Sequence, residues 1–179
     1  KEKSKIRYFL YLILAYIFMT GFFILAKTGA SDIWYDEVFS VKFAQYPFAD
    51  MISIAARDVH PPLYYIYLKA CMAVFKTFGI AQIPACKLAS FLPLLAILVF
   101  AFTWVRKRYD LSTAVLYSLF MVMMPQMATY YVEIRMYSLA LMFVTFAFAA
   151  MTDILKKEDD GKVRYFVFFF MSLAAAYTQ

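Results

Sequence analysis

Apolar residues run through this chain in blocks long enough to cross a bilayer, and polar residues collect in short segments between them. A transmembrane helix needs about 20 mostly apolar residues. Segments 8–26, 88–105, 111–130, 136–155 and 165–179 are predicted on that ground as five spans. A sixth apolar stretch, 62–78, carries Lys69 near its middle and Lys76 near its end. A charge at the bilayer centre costs at least ~2.5 kcal/mol on insertion scales. On a helix lying along the bilayer surface the same lysines reach the headgroups, and Tyr64, Tyr65 and Tyr67 suit that boundary too.

The basic residues decide between crossing and lying flat. Lys1, Lys3, Lys5 and Arg7 precede the first span, and Arg106, Lys107 and Arg108 follow the second. Lys156, Lys157, Lys162 and Arg164 follow the fourth. Loops rich in Lys and Arg stay cytoplasmic. If 62–78 crossed, Arg106–Arg108 would lie outside. If it rests in the outer interface, each basic cluster falls inside, and Glu133 and Arg135 fall outside. The pattern therefore predicts an all-α polytopic membrane helix bundle, multi-pass, with a cytoplasmic N-terminus. Segment 28–87 becomes an external loop that contains the interfacial helix 62–78. Two further short helices are predicted at 37–45 and 48–57. Pro47 separates them, and Pro61-Pro62 stops the second and starts the interfacial helix. The run 8–26 outlasts the ~7–15-residue core of a secretory signal and reads as an uncleaved first span.

Composition sharpens this picture. Hydrophobic residues make up 65% of the 179, against about 45–50% in soluble domains. Net charge is +6, but no basic face carries interleaved aromatics outside the spans, so nucleic acid is not an expected partner. Four glycines leave no room for a Gly-rich phosphate loop. Cys71 and Cys86 lack metal-binding spacing and read as thiols of apolar surroundings, with an external disulfide as the alternative. The tract Lys156-Lys157-Glu158-Asp159-Asp160 reads as a solvated turn.

The remaining polar residues carry the candidate chemistry. Trp34-Tyr35-Asp36-Glu37 sets two adjacent carboxylates just after the first span. They serve either as helix N-terminal acids that complement the macrodipole or as a general base or metal ligand at the membrane surface. Asp32 nearby reads as a solvated loop residue. In Asp58-Val59-His60-Pro61-Pro62 the chain's single histidine precedes a rigid Pro-Pro pair. His60 could bind a phosphate or, together with Asp36 and Glu133, a metal. In Tyr131-Val132-Glu133-Ile134-Arg135 a carboxylate and a guanidinium lie between two apolar spans. They form either a structural ion pair or a site where the forked donors of Arg135 take a phosphate and Glu133 orients a sugar or a cation. Asp36 and Glu37 form the candidate catalytic set; His60, Tyr131, Glu133 and Arg135 form the candidate donor-binding set. A transporter is the first alternative function, and a non-catalytic membrane scaffold subunit is the second.

These motifs, in this order, resemble bacterial members of the GT-C glycosyltransferases, nearest to the dolichyl-phosphate-mannose protein mannosyltransferase-like branch. The resemblance implies a membrane enzyme that takes a sugar from a polyprenyl-phosphate donor and works on the external face. The acceptor would be a hydroxyl of a protein, lipid or glycan. It implies an essential acid in the first external loop, which falls on Asp36, and a second acidic position at Glu133. It points to no cofactor beyond an optional divalent cation. Relatives have more spans than these five, which implies that this chain corresponds to their N-terminal part. Aminoarabinose transferases of the superfamily carry Lys-Pro where this chain has His60-Pro61. Relatives read Tyr-Thr-His where this chain has Tyr177-Thr178-Gln179.

Overall fold

The computed structural model describes residues 2–30, 32–57, 60–124, 126–156 and 161–179, with side chains from residue 8 onward. Asp58 and Val59 of the second motif, Lys1, and residues 157–160 of the basic-acidic turn lie outside the described residues, as do the side chains of Lys3, Lys5 and Arg7. Among the described residues every regular element is helical. The elements are α1 (Glu2–Lys27), α2 (Tyr35–Gln45), α3 (Phe48–Ala55), α4 (Leu63–Thr77) and α5 (Gln82–Phe100). A π-helical segment (Ala101–Val105) and α6 (Arg106–Arg108) extend α5 without a break in direction, followed by α7 (Leu111–Met123), α8 (Met127–Tyr130), α9 (Tyr137–Leu155) and α10 (Lys162–Ala176).

Three helical stretches are long and apolar enough to cross a membrane: Tyr8–Lys27, Gln82–Arg108 and Tyr137–Leu155. Phe9, Leu12, Phe18, Met19, Phe22 and Phe23 stand exposed around α1. In water such a helix would leave a large contiguous apolar patch, which soluble monomers rarely carry. Lipid removes that cost.

The expected span 111–130 is corrected. Its helix stops at Met123, after 13 residues. That is about 20 Å of helix against a hydrocarbon core of about 30 Å. Met124 is extended, with φ −54° and ψ 135°, as a residue ahead of proline prefers, and Pro125 follows. Gln126 then takes a left-handed φ of 66° before the single turn of α8. The last expected span, 165–179, is shifted toward the N-terminus: α10 runs Lys162–Ala176, 15 residues. In contrast α5 begins at Gln82, six residues ahead of the expected start at 88, and so takes Lys87 into the helix.

Two cores hold the molecule. One gathers Phe43 of α2, Met51 of α3, Tyr64, Tyr65 and Leu68 of α4, Cys86 and Ala89 of α5, and Ile134, Met136 and Leu139 around the start of α9. The other packs Ile13, Ile17 and Ile24 of α1 against Phe91 and Leu94 of α5, Val115 and Val122 of α7, and Tyr131. α9 and α10 form a hairpin, and α5 packs on both α4 and α9. This topology gives the bundle two unlike ends. One end holds α2, α3, the start of α5, the 131–136 bend and the end of α10. The other holds Arg106–Arg108, the end of α9 and the start of α10, where Asp153 receives the Trp104 indole at 3.3 Å and pairs with Arg108 at 3.4 Å and Arg164 at 4.0 Å.

Candidate functional site

The first and third sequence motifs meet at the end away from Asp153. The helix α2 starts at Tyr35 because Trp34 is extended, with φ −100° and ψ 175°, and because Glu37 reaches back to accept the Trp34 N–H at 3.1 Å. That return bond is half of a capping box. The other oxygen of the same carboxylate accepts the Ile134 N–H at 2.8 Å. Ile134 sits at a tight bend in which the Arg135 N–H reaches the Glu133 carbonyl at 2.7 Å. A buried N–H at such a bend needs an acceptor, and Glu37 supplies it. Glu37 is 5% exposed. Both of its oxygens are engaged by backbone, so it acts as a strap between α2 and the 133–135 bend. The expected catalytic role for Glu37 becomes one of positioning.

The strap brings three other side chains together. Arg135 is 8% exposed. Its Nη2 stands 3.8 Å from Asp36 Oδ2, beyond hydrogen-bond distance. Its Nε is buried with no hydrogen-bond partner. Asp36 is the accessible acid of the set, with a side chain 38% exposed. Its main-chain carbonyl, not its carboxylate, takes the Ser40 hydroxyl at 3.1 Å. Glu133 is buried, and burial holds its carboxyl above the ordinary glutamate value, reinforced by the nearby charge of Glu37. A hydrogen bond from the Trp34 side chain and the Arg135 charge pull it partly back.

Tyr131 lies elsewhere. It is fully buried in the α1–α5–α7 core, and its hydroxyl donates to the Met121 carbonyl at 2.9 Å. It braces the segment after α7, and the expected contact with a donor is corrected to packing. His60 is half-buried just ahead of α4. The bonds among Asp36, Glu37, Ile134 and Arg135 do not pass through it. The Leu63 N–H bonds the Tyr177 carbonyl at 3.2 Å, which sets the turn after His60 against the end of α10. His60 therefore shares the bundle end with the carboxylates. Among the described residues no group of three or more His, Cys, Asp or Glu side chains is arranged to hold a metal ion. Asp36, His60 and Glu133 thus form no ready-made ligand set. Cys71 and Cys86 are free thiols.

Lys87 was not legible as special. It is 6% exposed and donates to the Asp32 carbonyl at 2.7 Å, fixing the stretch that leads into Trp34. In the sequence it closes an external loop. Only the backward extension of α5 reveals it as a buried cation. Asp32, read as a solvated loop residue, contributes its carbonyl to this contact.

The chain matches no protein-family model, no curated protein and no solved structure.

Proposed function

We propose that the protein is a membrane glycosyltransferase that moves a sugar from a polyprenyl-phosphate donor to an acceptor hydroxyl, with inversion, on the external face of the cell membrane. The observation that carries this reading is the meeting of Asp36, Glu133 and Arg135 at one end of an apolar bundle, held by a carboxylate strap. A substrate that is part lipid and part anionic sugar needs an acid, a cation and a neighbouring apolar surface, and polar groups held at membrane depth are functional suspects by default.

The roles follow from the geometry. Asp36, the accessible carboxylate, takes the proton of the acceptor hydroxyl. The resulting oxygen attacks the anomeric carbon, and the bond from that carbon to the phosphate oxygen breaks. The leaving polyprenyl phosphate keeps the electron pair, and the buried guanidinium of Arg135 stabilises its charge. Glu133, with its raised proton affinity, orients sugar hydroxyls. His60 remains a candidate second contact to the phosphate. An apolar groove of about 820 Å³ between α1 and α5, running from Leu25 and Leu88 toward Leu14 and Phe102, is the proposed path of the lipid tail.

The external placement rests on charge. Arg106, Lys107, Arg108 and Arg164 gather at the end opposite Asp36, the arrangement that the positive-inside tendency demands of a cytoplasmic end. The test is Asp36→Asn in the full-length chain, with donor turnover and membrane expression measured together. Turnover is expected to fall by ~10²-fold or more, the usual worth of a general base. Turnover near that of the parent in a well-expressed variant would remove Asp36 as the base.

A further inference from the structure

A largely apolar cavity edged by two lysines lies at the far end of α2, away from Asp36. It measures about 580 Å³ and is bounded by the last turn of α2, one face of α4 and the turn into α5. Lys69 and Lys76 line it, with Gln45 and Gln82 beside them, and among the described residues no carboxylate does. We propose that this cavity binds the phosphodiester headgroup of an anionic phospholipid.

Four observations support it. The Lys69 ammonium is fixed by bonds to the carbonyls of Ala44 at 3.1 Å and Tyr46 at 2.8 Å. An ammonium has three donors, so one remains for a ligand. Lys76 lies two helical turns further on the same face of α4, about 10 Å along the axis, so the two cations can close on one phosphate from either side. Met72 and Ile80 give the cavity an apolar floor suited to the glycerol end of a lipid. Val74 and Phe78 of the same stretch stand exposed, with Phe78 at 75%, which fits chains buried among acyl groups. The donor phosphate is not the occupant. Gln45 lies nine residues from Asp36 along a continuous helix, about 13 Å, too far for a phosphate that must leave beside Asp36.

The inference uses the placement of α4 along the bilayer surface, and it does not depend on sugar transfer. The test is retention of lipid by the purified full-length chain in neutral detergent, read by native mass spectrometry. Phosphatidylglycerol is expected to be retained and phosphatidylcholine lost. Lys76 is exposed, outside the hydrogen-bonded set that shapes α2, so Lys76→Gln leaves the fold intact. It is expected to weaken phosphatidylglycerol retention about fivefold, the worth of one basic residue at an anionic surface. Equimolar inorganic phosphate is expected to leave the lipid in place. Equal retention of the two lipids overturns the proposal, as does unchanged retention by Lys76→Gln. Displacement by inorganic phosphate does so too, since it marks a free-anion site. Because turnover is not the readout, none of these failures bears on Asp36.

Discussion

At the scale of single residues, Glu37 and Asp36 stand next to each other and do different work. Glu37 satisfies two backbone N–H groups from segments far apart in sequence. Glu37→Ala is expected to leave both unpaired and to lower stability by about 1–3 kcal/mol, seen as an earlier thermal transition in detergent, together with loss of turnover. Asp36→Asn is expected to cost turnover alone. Equal melting of Glu37→Ala and the parent would refute the strap. Glu133 has a pH signature. Its folded pKa is raised above the ordinary 4.5. Its contribution to stability is therefore fully present below about pH 4.5 and is lost as pH rises through the raised value. Glu133→Gln is expected to melt later than the parent at neutral pH, and the gap is expected to close as pH falls toward 4.5. A gap that widens on acidification would reverse the sign. That Asp36 and Arg135 are polar residues flanking apolar helices was legible in the sequence, and the structure brings them to 3.8 Å. The role of Glu37 was not legible, because nothing in the sequence shows that the Ile134 N–H would need an acceptor.

At the scale of elements, punctuation was the reliable guide. Pro47 and Pro61-Pro62 mark the limits of α2, α3 and α4, and those helices lie within a few residues of their expected bounds. Hydropathy misled where it ran across a break. The apolar run from Leu111 to Tyr130 hid the stop at Met123, although Pro125 was visible within it. It misled again at α5, where Gln82 and Lys87 looked like loop residues but lie in the helix, with Lys87 bonded to the Asp32 carbonyl. The α9–α10 hairpin is tied to the end of α5 through Asp153, which takes the Trp104 indole and faces two arginines. Asp153→Ala is expected to destabilise the protein by about 1–3 kcal/mol in thermal unfolding, while the KM for donor stays within twofold. A large change in KM would mean that the two ends of the bundle are coupled.

At the scale of the whole molecule, the gathering of Arg106, Lys107, Arg108 and Arg164 at the end away from Asp36 predicts an orientation. Tyr35 is 82% exposed at the carboxylate end, and Lys107 is exposed at the other. In a background with Cys71 and Cys86 replaced by alanine, a cysteine at position 35 is expected to react with a membrane-impermeant maleimide in intact cells. A cysteine at position 107 is expected to react only after permeabilisation. The reverse pattern would place Asp36 in the cytoplasm and end the transferase proposal, and labelling of both from outside would refute the separation of the two ends across the membrane.

The strap also sets a schedule for biogenesis. The carboxylate of Glu37 and the amide it secures are 97 positions apart. At a ribosomal pace of 5–20 residues per second, Glu37 emerges roughly 5–20 s before Ile134 exists. During that interval the acid has only the amide of its own first turn. The nascent α2 must therefore wait, unlatched, until the ribosome delivers the segment that closes it.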